Sequence, residues 1–329
     1  MNTTATTPLD TESAVPYLRD RGLIDPDQPA RSRALPGGVS AVTLLVEAAG
    51  RRLVVKQARS RLTVAREWRA DPARIATEAA AMSTYGAITP EAAPEVVDID
   101  PMRHVLTMTA APAAARPWKE DLLAGRTDAA VAETLGEVLG RWHHATRHHP
   151  EVAHQFRDDR TFMQLRGEPY HRAVATALPN LATPVLECLD ELLGQRECLV
   201  HGDFSPKNVL VGITTPWVLD FEVARYGAPV FDLAFMLSHL LLKATHLPRC
   251  APRLRAAAAG FLTRYEHTSG SVPADSRIAA HTGCLLLSRV VGKSPAEYLT
   301  SAEQRRVVDL GAALLTGAVH TMDLVWSAC

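Results

Sequence analysis

The sequence predicts an α+β chain of two lobes. The first is small, a five-stranded antiparallel sheet plus one helix; the second is larger and mainly helical, with a β-hairpin embedded in it. Three observations predict this. Short β-type runs separated by Gly- or Pro-containing turns occupy the first third of the chain. Helical periodicity dominates from Trp118 onward. The 329 residues suffice for two separate cores. The expected organisation is an N-terminal extension with a short helix over 1–33, a first lobe over 34–111 and a second over 112–329.

The net charge of −1 gives no electrostatic basis for binding nucleic acid or an anionic membrane. No run of about 18 apolar residues marks a membrane-spanning helix, and the first eight residues lack the basic and apolar regions of a secretion signal. The five cysteines (Cys188, Cys198, Cys250, Cys284, Cys329) are odd in number and without C-x-x-C spacing. They read as reduced thiols of a cytoplasmic protein. A homodimer is left open.

In chain order, 10–22 reads as a short helix with Thr11 or Ser13 as cap and Gly22 as stop. Gly37 and Gly38 form a turn, closed by Ser40, whose backbone amides could approach phosphates. One strand precedes this turn, and the strands 42–46 and 53–56 follow it. In the last of these, Val54 and Lys56 share one face, an arrangement suited to a base above the valine and phosphates at the ammonium. The helix 72–85 places Glu78 on the same stripe as Ile75, Met82 and Tyr85. An inward carboxylate needs a partner, and Lys56 is the obvious one. Segments 94–100 and 104–108 complete the strands. Helices are expected over 131–144, 185–193, 233–242, 252–265, 277–291 and 303–325. The histidine run 143–149 lacks ligand spacing for a metal, so one of its members is expected to pack beside the loop that begins at His201.

That loop is His201-Gly202-Asp203-Phe204-Ser205-Pro206-Lys207-Asn208. The runs 209–211 and 217–219 flank a turn-rich gap and read as a hairpin. With the turn centred on Thr214, Asn208 faces Asp220, with Cβ atoms about 4.5–5.5 Å apart. An amide oxygen and a carboxylate so placed suit Mg²⁺, which takes the rest of its shell from substrate phosphates. Asp203 then stands as a separate acid.

The H-G-D-x-x-x-x-N run followed by Asp220-Phe221-Glu222 resembles the aminoglycoside phosphotransferase and choline kinase branch of the protein-kinase-like fold. The segment from Lys56-Gln57 through Trp68 to Glu78, and Arg289-Val290-Val291-Gly292, resemble methylthioribose kinases. The match extends from Gly37 to about Gly292. Ser288 replaces an arginine of that family, and Asn208 stands where it commonly has serine. The resemblance implies transfer of the ATP γ-phosphoryl group to a hydroxyl. Asp203 would orient and deprotonate the acceptor, Asn208 and Asp220 would hold Mg²⁺, and Lys56, steadied by Glu78, would grip the α- and β-phosphates. Met108 would close the adenine pocket, and Thr109 and Ala111 would belong to the hinge that meets the base. Trp68, Lys207, Glu222 and Arg289 are implied as substrate or supporting residues. His201 would brace the loop, and Asp232, at the start of a helix, would brace it from behind.

The acceptor is less determined. From Val230 to Cys329 there are ten Lys and Arg against seven Asp and Glu, a balance of +3 that does not suit a polycationic antibiotic. A small hydroxylated metabolite, such as a methylthioribose-like sugar, is the expectation. An aminoglycoside O-phosphotransferase and a nucleotide-binding pseudokinase are the alternatives. A metal-dependent hydrolase using His201 and Asp203 lacks further ligands.

Overall fold

The computed structural model describes residues 7–36, 40–60, 70–319 and 326. Gly37, Gly38 and Trp68 lie outside the described residues. The chain divides into two compact units, Met1–Ala113 and Ala114–Cys329.

The first unit is built on a five-stranded antiparallel sheet. Its strands are β1 (Ala30–Ala34), β2 (Ala41–Ala48), β3 (Arg51–Ala58), β4 (Val96–Asp100) and β5 (Val105–Thr109), in the spatial order β1-β2-β3-β5-β4. Side chains alternate across β3, the middle strand. Leu53 and Val55 point into a core with Leu44, Val46 and Val105, closed by Tyr17 and Leu18 of helix α1 (Ala14–Asp20). Val54 and Lys56 take the opposite face. Helix α2 (Arg74–Ile88) buries Ile75, Glu78, Met82 and Tyr85, the predicted stripe. The start of α1 differs from expectation. Neither Thr11 nor the Ser13 side chain caps it; Asp10 does so from further out, its Oδ1 accepting the amides of Glu12 and Ser13 at 3.0 and 2.8 Å. A carboxylate is the stronger acceptor for such orphan amides.

The second unit opens with β6 (Arg116–Pro117), α3 (Trp118–Leu123) and α4 (Ala129–Thr146). Short helices α5 (Pro150–Gln155) and α6 (Arg160–Phe162) lead into a π-helical segment, Met163–Arg172, and then α7 (Ala173–Ala177). Next come α8 (Ala182–Gly194), β7 (Cys198–Val200), the hairpin β8 (Val209–Val211) and β9 (Trp217–Val218), and β10 (Arg225–Gly227), which pairs with β7. Helices α9 (Val230–His246), α10 (Ala251–Ser269), α11 (Asp275–Val291) and α12 (Ser301–Leu315) follow. α12 begins with a Thr300–Glu303 capping box. It ends at Leu315, short of the expected Val325, because Gly317 adopts a left-handed φ of +74° that α-helix cannot continue. The four described cysteines are free and buried. Among the described residues no helix is long and apolar enough to cross a membrane.

Helices α4 and α10 approach closely because glycine lines the contact. A Cβ on Gly136 would run into the Phe261 carbonyl group, whose carbon is 3.0 Å away, and one on Gly140 would lie 2.9 Å from the Tyr265 oxygen. Backbone cannot yield as a side-chain tip can. Gly136→Ala is therefore expected to cost about 1–3 kcal/mol, read as a lower urea midpoint at unchanged m-value. A midpoint equal to that of the parent chain would show that the two helices part freely.

Candidate active site

Within the first unit, the alternation of β3 delivers Lys56 to the face covered by α2. The lysine is 8 % exposed and Glu78 1 %. The Lys56 Nζ donates to Glu78 Oε1 at 2.7 Å. Breaking so buried a pair by removing either partner is expected to be destabilising, because the desolvation of the remaining group is no longer offset by this contact. On the same face Val54 stands in register between Leu45 and Met108. Buried Arg74 ties together the carbonyls of Ser40, Arg59, Ala70 and Asp71. Sequence reading passed over it, because an arginine in the first helical turn carries no pattern that foretells four backbone partners.

The hinge is less open than expected. The Thr109 amide is bonded to the Glu95 carbonyl at 2.9 Å and that of Ala110 to Arg52 at 3.1 Å. The Ala111 carbonyl accepts Arg52 Nη1 at 2.6 Å. These groups are occupied because the chain leaving β5 is held on both sides, by Glu95 just ahead of β4 and by the backbone and side chain of Arg52 in β3.

In the second unit the loop after β7 is held by Asp232. Its carboxylate accepts the amides of His201 and Gly202 at 2.7 and 2.8 Å. It also meets His143 Nε2 at 3.2 Å, while His143 Nδ1 meets the Tyr265 hydroxyl at 3.0 Å. Asp232 lies in the first turn of α9, two residues beyond its start, where a carboxylate faces the helix N-terminus. It is a first-turn residue and not the cap itself, which is Pro229.

Gly202 adopts a φ of +75°, and a Cβ there would fall 2.6 Å from the Val223 carbonyl oxygen. Both conditions require glycine in the H-G-D run. His201 is neutral, since burial lowers its pKa. Its Nδ1 accepts the Asp203 amide at 3.1 Å and its Nε2 donates to the Leu219 carbonyl at 3.1 Å. One imidazole thus joins the two stretches that carry the acidic residues. Phe204 and Phe221, both fully buried, close around His201 and Trp142.

Asp203 is 2 % exposed. Burial alone would raise its pKa, but Arg166 and Lys207 overrule it and hold the carboxyl below the usual range. Arg166 Nη2 lies 2.8 Å from Oδ1 and Lys207 Nζ 2.8 Å from Oδ2. Arg166 Nε donates to the Gly202 carbonyl at 2.9 Å. Burial also works against the Lys207 ammonium, yet Asp203 and Asp220 raise its pKa. Asn208 turns its Nδ2 to Asp203, donating to Oδ2 at 2.8 Å and to the carbonyl at 3.0 Å. Its Oδ1 is then the atom with which it could ligate a cation.

The hairpin register differs by one residue from expectation. Val209 pairs with Val218 and Leu210 with Trp217, so Asn208 stands opposite Leu219, whose amide donates to the Asn208 carbonyl at 2.8 Å. The turn is centred between Ile213 and Thr214, with Gly212 at a φ of +85°. Asp220 is not a ladder residue. It has a φ of +69°, a conformation costing a non-glycine residue about 1–2 kcal/mol. Asp220 and Glu222 bring carboxylate oxygens within 4.8 Å of each other, an oxygen-only set of the kind Mg²⁺ takes.

Arg289, in the last turn of α11, is half-buried and donates Nη1 to Ser294 Oγ at 2.9 Å. Among the described residues it has no carboxylate partner. It shares a neighbour with the loop: burial would raise the Tyr170 pKa, but Arg166 and Arg289 together pull it below its usual value. Arg166 itself went unread in the sequence. It lies in the π-helical Met163–Arg172 segment, with Gly167 and Pro169 nearby, where no amphipathic period points to a function.

The pattern of the phosphotransferase enzyme family (APH) matches residues 31–280. The chain belongs to that family. As a family member it is a small-molecule kinase. The chain is similar to the methylthioribose kinase of Erwinia tasmaniensis, at 26 % identity over 94 % of each chain. Methylthioribose kinase 2 of Oryza sativa is 23 % identical over 71 % of this chain and 63 % of its own. Among solved structures, the amicoumacin kinase hAmiN superposes with a TM-score of 0.58 at 15 % identity, over 94 % of this chain and 95 % of that one. The choline kinase LicA of Streptococcus pneumoniae does so with 0.51 at 13 %, over 92 % and 99 %. Both share the fold.

Arg166→Met is expected to destabilise the protein by about 1–3 kcal/mol, since buried Asp203 loses one of its two cations and keeps only Lys207 and Asn208. The depressed Asp203 pKa contributes stability that is present above the ordinary carboxyl value of 3.8 and is lost as pH falls through the folded value. In the variant the carboxyl is pushed up, so the deficit in urea unfolding should be largest near neutrality and shrink on acidification. A deficit independent of pH would contradict this.

Proposed function

We propose that this kinase transfers the γ-phosphoryl group of ATP, with Mg²⁺, to a hydroxyl of a small polyol- or sugar-like metabolite. The observation that carries the reading is the buried Asp203 carboxylate, kept ionised by Arg166 and Lys207 beside Asn208. A carboxylate of low proton affinity is a weak base. It suits phosphoryl transfer, whose loose transition state asks more for orientation of the attacking oxygen than for early deprotonation. Asp203 orients the acceptor hydroxyl and takes its proton late.

Asn208 Oδ1 and Asp220 hold the Mg²⁺, with Glu222 in support. Their all-oxygen donor set and the strained backbone of Asp220 fit that ion. The ion supplies neutralisation of phosphate charge when bound. Lys207 meets the γ-phosphate. Lys56, steadied by Glu78, binds the α- and β-phosphates. Val54 and Met108 line the adenine site, and the Ala111 amide is the hinge donor left for the base. His201 and Asp232 keep the loop in shape, and Trp68 and Arg289 contact the acceptor. The similarity to methylthioribose kinases over nearly the whole chain supports a polyol or sugar over a polycationic antibiotic.

An ATP-consumption screen across methylthioribose-type sugars, amino alcohols, homoserine and aminoglycosides tests the reading. Turnover is expected with a non-cationic hydroxyl compound and absent with aminoglycosides; turnover of aminoglycosides alone would overturn the acceptor class. Asp203→Asn should lower kcat about 10²–10⁴-fold with the KM for ATP unchanged. Retained kcat would remove Asp203 from its role.

A further inference from the structure

Helix α9 is buried from Val230 to Thr245. Two polar residues inside it, His239 and Lys243, are used by nothing described above. Lys243 is 1 % exposed. Its Nζ donates to the His239 carbonyl of its own helix at a long 3.3 Å and lies 5.7 Å from the Tyr298 ring. Among the described residues no carboxylate pairs with it.

The charges that act on Lys243 are cations, Lys119 of α3 and Arg289 of α11; on His239 they are Lys243, Arg289, Lys207 and Lys119. Unused donors collect at the same place. The Arg289 Nε and the Tyr298 hydroxyl are buried without a partner. Glu303, which acts on Tyr298, is committed to His246 at 3.2 Å and the Thr300 amide at 2.7 Å. A buried ammonium surrounded by like charge costs several kcal/mol unless an anion joins it. Burial, Lys119 and Arg289 bring Lys243 down to about 7, so its charge is poised to follow an arriving anion.

The cluster adjoins the proposed reaction centre through touching side chains. The His239 ring lies tilted at 42° with its centroid 5.3 Å from that of Phe235, over which the Arg166 guanidinium sits at 5.4 Å, and Arg166 grips Asp203. We propose that Lys243, with Arg289 and His239, forms an anion subsite for a carboxylate or phosphate group of the acceptor, so that the hydroxyl compound this kinase phosphorylates is itself an anion. This rests on the kinase reading and narrows it. Neutral methylthioribose and cationic antibiotics would both leave the subsite empty.

The test has two arms on the full chain. In the first, sulfate is titrated calorimetrically into protein saturated with ADP and Mg²⁺. Binding should tighten as pH falls from 8 to 6, because Lys243 is protonated below about 7. Lys243→Met should weaken it about ten-fold or more, the scale of one hydrogen bond to a charged group. In the second, hydroxy acids and sugar phosphates are compared as acceptors with their neutral amide and sugar counterparts; which anion is preferred separates carboxylate from phosphate. The KM advantage of the anion should disappear in Lys243→Met while the KM for ATP stays constant.

Equal turnover of neutral acceptors, or sulfate binding unchanged by the substitution, would overturn the subsite and leave Lys243 a neutral amine buried in the core. If no acceptor of any charge is phosphorylated, the kinase reading fails, and the sulfate arm still decides the subsite. Should Lys243→Met not fold, Arg289→Gln at its half-buried position carries the same comparison.

Discussion

Asp232 is the constraint on which the second unit depends. One buried carboxylate at the start of α9 receives two successive amides of the 201–203 loop and faces His143 of α4. Three elements distant in sequence are thereby set around one charge. The loop cannot shift without stripping hydrogen bonds from a fully buried carboxylate. Gly202 is the consequence: amides that converge on Asp232 force a left-handed turn against the Val223 carbonyl, and only glycine fits there.

The electrostatics of the loop follow from that geometry. With its backbone fixed, Asp203 projects into a buried site that by itself would raise its pKa. Arg166 and Lys207 reverse this, and Asn208 completes the set by donating to the same carboxylate. Negative charge is thus gathered within unit 2 at Asp203, Asp220 and Glu222, and positive charge at Arg166, Lys207 and Arg289. A centre that handles phosphates and a hydroxyl needs both signs, and here they meet directly, Arg166 and Lys207 each lying 2.8 Å from an Asp203 oxygen.

The residues legible in the sequence are those whose chemistry is local or periodic. Lys56 and Glu78 were readable because strand alternation and a helical stripe both aim at one face. Asp203 and Asn208 were readable because they lie five residues apart in one loop. The hairpin register was misjudged by one because Asp220 leaves the ladder in a left-handed conformation that pairing arithmetic does not contain. Arg166 was invisible because its partner lies 37 residues on and its own segment is a π-helical stretch without a regular period. His239 and Lys243 sit in an apolar run whose pattern reports only burial.

The sequence by itself determined the α+β architecture, the five-stranded sheet of the first unit, the helical character of the second and the family of reaction, because periodicity and a short motif are local quantities. Tertiary structure decided which charges meet. It chose Arg166 as a partner of Asp203, turned the Asn208 amide inward, made Asp232 the shared acceptor of the loop, and enclosed the Lys243 amine beside Lys119 and Arg289. Those outcomes depend on burial and on contacts between distant segments, and neither is written in the spacing of residues along the chain.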